Sequence, residues 1–114
     1  MHTVVELARY SKSADRLFTE AERAEVAVLI AHVPMAGDLI VGTGGVRKIR
    51  VPFDGRGKSG GARVIYYLHD ERHPILLVDV FAKNEKSDLD AAERAALSSM
   101  VKKIKAAFRA APGG

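Results

Sequence analysis

Three β-forming runs fill the middle of the chain, and their spacing restricts what it can fold into. "VRKIRVPF" begins at residue 46, "ARVIYYLHD" at 62 and "PILLVDVFAK" at 74. The stretch "DGRGKSGG" separates the first two, and the turn "ERHP" separates the second from the third. Connections this short cannot accommodate a crossover helix, so neighbouring strands must run antiparallel. Pro52 cannot donate to a ladder, which places the first run at an edge or ends it there. Alternation puts Ile49, Val51 and Phe53 on one face of that run, with Lys48 and Arg50 on the other. In the second run Arg63, Ile65 and Tyr67 share a face opposite Ala62, Val64, Tyr66 and Leu68. In the third, Leu76, Val78, Val80 and Ala82 are read as one apolar face, with Asp79, Phe81 and Lys83 on the other.

Helical periodicity flanks the meander. Residues 3–8, "TVVELA", read as a short strand. Thr19 and Glu22 have capping-box spacing, which predicts a helix over 20–33 with Val26, Leu29, Ile30 and Val33 as its apolar stripe, ended by Pro34 and Gly37. His32, beside that stripe, is read as a partly buried structural histidine. Asp90 and Glu93 repeat the box. The helix after them carries Leu97, Met100, Val101, Ile104 and Phe108 as a stripe that can cover a sheet face. Lys102, Lys103, Lys105 and Arg109 crowd its end, where they complement the helix dipole. The order strand, helix, three strands, helix predicts an α+β layer built on a small antiparallel sheet. Residues 1–114 read as a single domain with a frayed tail at 110–114. A chain of this length can bury roughly two-thirds of its unfolded surface.

Composition narrows the function. The chain has no cysteine, so disulfides and thiolate metal sites are excluded. No signal-peptide pattern opens it, and its longest apolar run, "VAVLIA", falls far short of a membrane span. A cytoplasmic protein without membrane association is expected. The net charge is +4. Its placement is uneven: six cations and one acid lie between Arg47 and Arg63, against six acids and four cations in residues 1–38. One surface is therefore suited to a polyanion, although a solvated hairpin would show the same run.

The nucleotide motifs that this region suggests fail on spacing. A phosphate-cradling loop ending in "GKS" requires glycine where Pro52 stands, and must lead into a helix rather than "ARVIYY". "GTGG" at 42–45 places Arg47 where a dinucleotide fingerprint has its third glycine. "HDERH" sets His69 and His73 four apart, but Asp70 replaces the glutamate of a metalloprotease helix and Pro74 follows at once. Without cysteine, zinc there would need carboxylate or water ligands. No cofactor or metal is expected. What remains is a set of cations interleaved with aromatics: arginine grips phosphate bidentately, lysine supplies a movable charge, and rings can stack on unpaired bases.

Several blocks together resemble a known family. "GTGGVRKIRVPFDGRGKSGGARVIYYL" followed by "ILLVDVFAKNEKSDLDAAERAAL" is similar to the RelE/HigB toxins of bacterial type II toxin–antitoxin systems, over about residues 40–105. The resemblance implies a microbial-RNase-like fold, ribosome-dependent cleavage of messenger RNA, contact with ribosomal RNA, and inhibition by a cognate antitoxin, often of helix-turn-helix type. In this family lysines and arginines stand where other nucleases use a histidine pair. A lysine crowded by cations can act as a base near neutrality, and arginines stabilise charge growing on phosphorus. Carried onto this chain, the resemblance implies Arg63 as phosphate clamp, Lys83 as general base or acid and Lys86 as a helper. It implies Arg47, Lys48, Arg50 and Lys58 as RNA contacts. The residues themselves offer Tyr66 and Phe81 as ring contacts, with a core or rim position as the alternative for each. The glycine-rich loop "DGRGKSGG" is expected to be mobile and to bring Lys58 to an RNA backbone. No tyrosine or histidine follows His73, so the acid–base pairing of many relatives has no counterpart here. Two other readings share the fold: a ParE-like toxin that poisons DNA gyrase without cutting nucleic acid, and an inactive module that only binds RNA or its partner.

Overall fold

The computed structural model describes residues 2–52 and 61–110. Its elements are β1 (Val4–Glu6), α1 (Ala8–Leu17), α2 (Glu20–His32), β2 (Asp38–Leu39), β3 (Val46–Val51), β4 (Ala62–Tyr67), β5 (Ile75–Ala82) and α3 (Ala91–Ala110). The five strands form one sheet in the order β1-β5-β4-β3-β2. The meander β3–β4–β5 is antiparallel, as its short connections demand. β1 is the exception to the expected antiparallel sheet. It lies parallel to β5, pairing Val4 with Ile75 and Glu6 with Leu77, because the chain leaves β1 through two helices before returning.

The sequence reading lacks two elements, the two-residue strand β2 and the helix α1. Leu7 at its N-cap offers no side-chain oxygen, and no acid stands in its first turn, so the usual start signals are missing. Tertiary burial of Tyr10, Ala14 and Leu17, spaced i, i+4, i+7, holds it in place. By contrast both capping boxes form. Glu22 N–H donates to the Thr19 hydroxyl at 3.1 Å while Thr19 N–H donates to the Glu22 carboxylate at 2.9 Å. Asp90 and Glu93 exchange the same pair of bonds at 3.0 and 2.8 Å. The stripe of α2 is rotated from expectation: Val26, Ile30 and Ala31 are buried, whereas Leu29 and Val33 are exposed. His32 is exposed too, its Nδ1 2.9 Å from the Val28 carbonyl, and is no core residue.

Helices α1 and α2 pack on one face of the sheet, around Tyr10, Ile30, Val64, Tyr66, Leu77 and Val80. α3 lies across the other face, over Val46, Ile65, Tyr67, Leu76 and Val78, with Leu97, Met100, Ile104 and Phe108 packed against them. β5 supplies both layers through an irregularity. Ile65 pairs with Asp79 and Tyr66 with Leu77, so Val78 is an extra residue and the alternation reverses there. Leu76, Val78 and Phe81 therefore face α3, while Ile75, Leu77, Val80 and Ala82 face α1 and α2. Strict alternation had put Val80 and Ala82 with Leu76 and Val78; the bulge separates them. Pro52 lies beyond the last residue of β3, which is an inner strand, and β2 covers only Arg47 and Lys48 of it.

Candidate nucleic-acid interface

Among the described residues, α3 lies over one end of its sheet face. The Val46–Tyr67–Leu76 end lies beneath the helix, and the opposite end carries charge. There Arg50 pairs directly with Arg63 across β3 and β4, and Arg63 with Phe81 across β4 and β5. Lys83 N–H donates to the Gly61 carbonyl at 3.2 Å, which extends the ladder past Ala82. Alternation puts Lys48, two residues before Arg50, on the same side as Arg50, and Lys83 opens the turn that follows β5. Across three strands this patch measures on the order of 10 Å. Gly61 permits the approach to Arg63: its φ is +75°, and a Cβ there would meet the Val51 carbonyl oxygen at 2.6 Å.

The structure sorts the residues expected at an RNA site. Arg50 and Lys83 are exposed and Arg63 is half-buried. Lys48 shares the face but its Nζ lies 3.0 Å from Asp88. The neighbouring Leu89 N–H and then this ammonium hold the Asp88 carboxyl below its usual range. Lys86 is paired with Glu93 and its Nζ sits 5.0 Å from the centre of the Phe81 ring. That ion pair, followed by the Asp90 amide, depresses the Glu93 carboxyl. Lys86 therefore ties the start of α3 to β5, a structural task that competes with the helper role expected of it. Lys58 lies outside the described residues, as do Phe53 and most of the glycine-rich loop.

Three of the expected contacts lie elsewhere or are buried. Arg47 points to the other layer, where its guanidinium donates to the Gly37 and Met35 carbonyls at 2.7 and 3.2 Å, because its position in β3 is out of phase with Lys48 and Arg50. Tyr66 is wholly buried and cannot stack on a base. Its hydroxyl donates to the Pro34 carbonyl at 2.7 Å and accepts from Gly37 N–H at 3.0 Å, and burial pushes its pKa up. A side chain on Gly37 would collide with that hydroxyl at 2.7 Å. Phe81 is buried in the α3-side core and is likewise closed to base stacking.

α1 brings cations that sequence reasoning missed. β1 pairs only with Ile75–Leu77, so α1 lies along the rest of β5 and sets Arg9 and Arg16 beside the patch. Arg9 Nε is 3.2 Å from Asp79, which also accepts from Ser13, and Arg16 pairs with Glu85. Together they border a charged hollow of about 230 Å³ next to Phe81 and Lys86. The seven-residue spacing of Arg9 and Arg16 was the available signal, and it has meaning only on a helix.

Comparison with known proteins agrees with this architecture. Residues 37–111 match the family model described as the RelE toxin of the RelE/RelB toxin–antitoxin system. Among solved structures, a double mutant of the Escherichia coli toxin RelE in its free state superposes with a TM-score of 0.56 at 20% identity, over 90% of this chain and 97% of that one. The similarity to that structure is one of fold, whereas the family match spans β2 to the end of α3, and on that match the chain belongs to the RelE toxin family.

Proposed function

We propose that this toxin is an endoribonuclease that cuts messenger RNA on the ribosome and that a cognate antitoxin, of helix-turn-helix type, restrains it. The observation that supports this reading is the strand register, which sets Arg50 opposite Arg63 with Lys48 on the same face of β3 and the Lys83 backbone beside Gly61. Arg63, with Arg50 opposite, holds the non-bridging oxygens of the scissile phosphate and stabilises the charge that builds on them. Lys83 takes the proton of the ribose 2′-OH. The 2′-oxygen then bonds to phosphorus, the bond from phosphorus to the 5′-oxygen breaks, and that oxygen takes a proton from water as it leaves. The products are a 2′,3′-cyclic phosphate and a 5′-hydroxyl. No histidine or tyrosine is needed at the patch if ribosomal RNA orders the substrate, which supports ribosome dependence. Lys48 contributes charge to substrate contact, and Lys58 is assigned the same role.

Primer extension on messenger RNA from cells expressing the protein tests the proposal. New 5′ ends within open reading frames are expected, and they should vanish with Arg63→Ala or Lys83→Ala. Growth arrest with intact transcripts and accumulating DNA damage would instead establish the gyrase-directed reading. Normal growth with folded protein present would leave a binding module.

A further inference from the structure

The histidines of the β4–β5 turn are used neither by the patch nor by the core, and the fold gathers them. His69, Asp70 and His73 bring their ligand atoms within 4.8 Å of one another. One Asp70 oxygen lies 2.7 Å from His73 Nδ1 and the other 3.8 Å from His69 Nε2. The same carboxylate accepts the Arg72 and His73 backbone N–H groups at 2.9 and 3.0 Å, which fixes its direction. Tyr67 Oη lies 2.9 Å from His69 Nδ1. The Phe108 ring near the end of α3 stacks on His73 at 4.1 Å and meets the edge of His69 at 5.1 Å, closing one side. The two imidazoles are themselves 5.2 Å apart.

We propose that this turn is a divalent transition-metal site, with His69 Nε2, Asp70 and His73 Nδ1 as ligands and Zn²⁺ as the ion that suits them best. Two imidazoles and a carboxylate are the donors zinc accepts in the absence of cysteine. At metal–ligand bonds of about 2.0–2.1 Å, tetrahedral ligands stand about 3.3 Å apart. The two Asp70–histidine separations, 2.7 and 3.8 Å, bracket that value, and all three ligand atoms lie within 4.8 Å of one another. The metal takes the place of the proton shared by Asp70 and His73, and water completes the coordination. When Nε2 of His69 binds the ion, its Nδ1–H donates to the Tyr67 hydroxyl, the outer hydrogen bond that orients metal-bound imidazoles. The site lies at the end of the sheet opposite Arg50 and Arg63, so its role is structural: it holds both rings against Phe108 and fastens the end of α3 to the sheet.

The test is to titrate Zn²⁺ alone into the tag-free full chain, followed by calorimetry and by nitrogen spectra of the imidazoles. One ion per chain is expected, with large shifts at His69 Nε2 and His73 Nδ1 and none at His2 or His32. His69→Gln and His73→Gln should each weaken binding at least tenfold, and Tyr67→Phe about tenfold. Because the spectra are recorded on the unsubstituted protein, a variant that folds poorly leaves the test intact. Absence of uptake, shifts confined to His2 and His32, or unchanged affinity in both glutamine variants would overturn the proposal. Messenger RNA cleavage enters none of these readouts.

Discussion

The two faces of the sheet differ in how completely they are closed. On one, α1 and α2 bury Tyr10, Ile30, Val64, Tyr66 and Leu77 entirely; the Tyr66 hydroxyl is held by Pro34 and Gly37, whereas the buried Tyr10 hydroxyl meets no hydrogen-bond partner among the described residues. On the other, α3 buries a single residue of its own fully, Val101. A cleft of about 390 Å³ remains between Leu7, Ile65, Val78, Leu97 and Met100, and beyond it the sheet end carries cations. The difference amounts to a division of labour: one layer holds the fold, while the far end of the other carries Arg50 and Arg63 on adjacent strands. Stability and activity should therefore separate by face.

The largest expected effect lies on the open face. Removing Arg63 should lower cleavage of ribosome-bound messenger RNA by about 10²–10³-fold, the usual loss for one charge-stabilising donor. Lys83→Ala should cost about 10²–10⁴-fold, the range for a general acid–base group. Both should leave the urea midpoint within the scatter of surface substitutions. Arg47→Ala, one strand position out of phase with Arg50, should keep its activity; if it behaves like Arg63→Ala, the division by face is wrong.

On the closed face the order reverses. Leu77→Ala removes a fully buried side chain between α1 and the sheet and should cost about 2–5 kcal/mol in chemical denaturation. Activity per folded molecule should not change. Tyr66→Phe keeps the ring but leaves Gly37 N–H and the Pro34 carbonyl without their partner, for about 1–3 kcal/mol. Loss of cleavage in that variant without loss of stability would return Tyr66 to the site.

The smallest effect concerns the edge between the two regions. The Arg23 guanidinium holds the Glu6 carboxyl below its ordinary value of 4.5. A depressed folded value contributes stability above the ordinary value, and the contribution disappears as pH falls through the folded one. Glu6→Gln should therefore cost about 1 kcal/mol at neutral pH, modest because both side chains stay partly exposed, and nothing in strong acid. Unfolding curves at pH 7 and at pH 2–3 measure this, and a gap that stays constant with pH would remove the ion pair as its cause.

Legibility tracked how local each signal was. Both capping boxes, the α3 stripe and the antiparallel meander follow from residues a few positions apart, and all are present. α1 escaped because its start lacks a capping side chain and its stripe of Tyr10, Ala14 and Leu17 is thin. The cation set was visible in composition, and its shared face in the alternation of β3 and β4. Whether each member was available was not visible, since Lys48 meets Asp88 forty residues away and Lys86 meets Glu93 on another element. His69 and His73 were legible as a spacing, but Phe108 beside them was not.

By itself the amino-acid order determined that this chain forms a charged antiparallel meander flanked by helices, because strand alternation and helix capping act between near neighbours. The tertiary structure alone decided that β1 returns parallel to β5, that the extra residue Val78 reverses the faces, and that Tyr66 and Phe81 go inward while Arg50 and Arg63 meet. Those outcomes depend on which surfaces of distant segments exclude water together. Apolar burial of that kind has no direction and no fixed range along the chain.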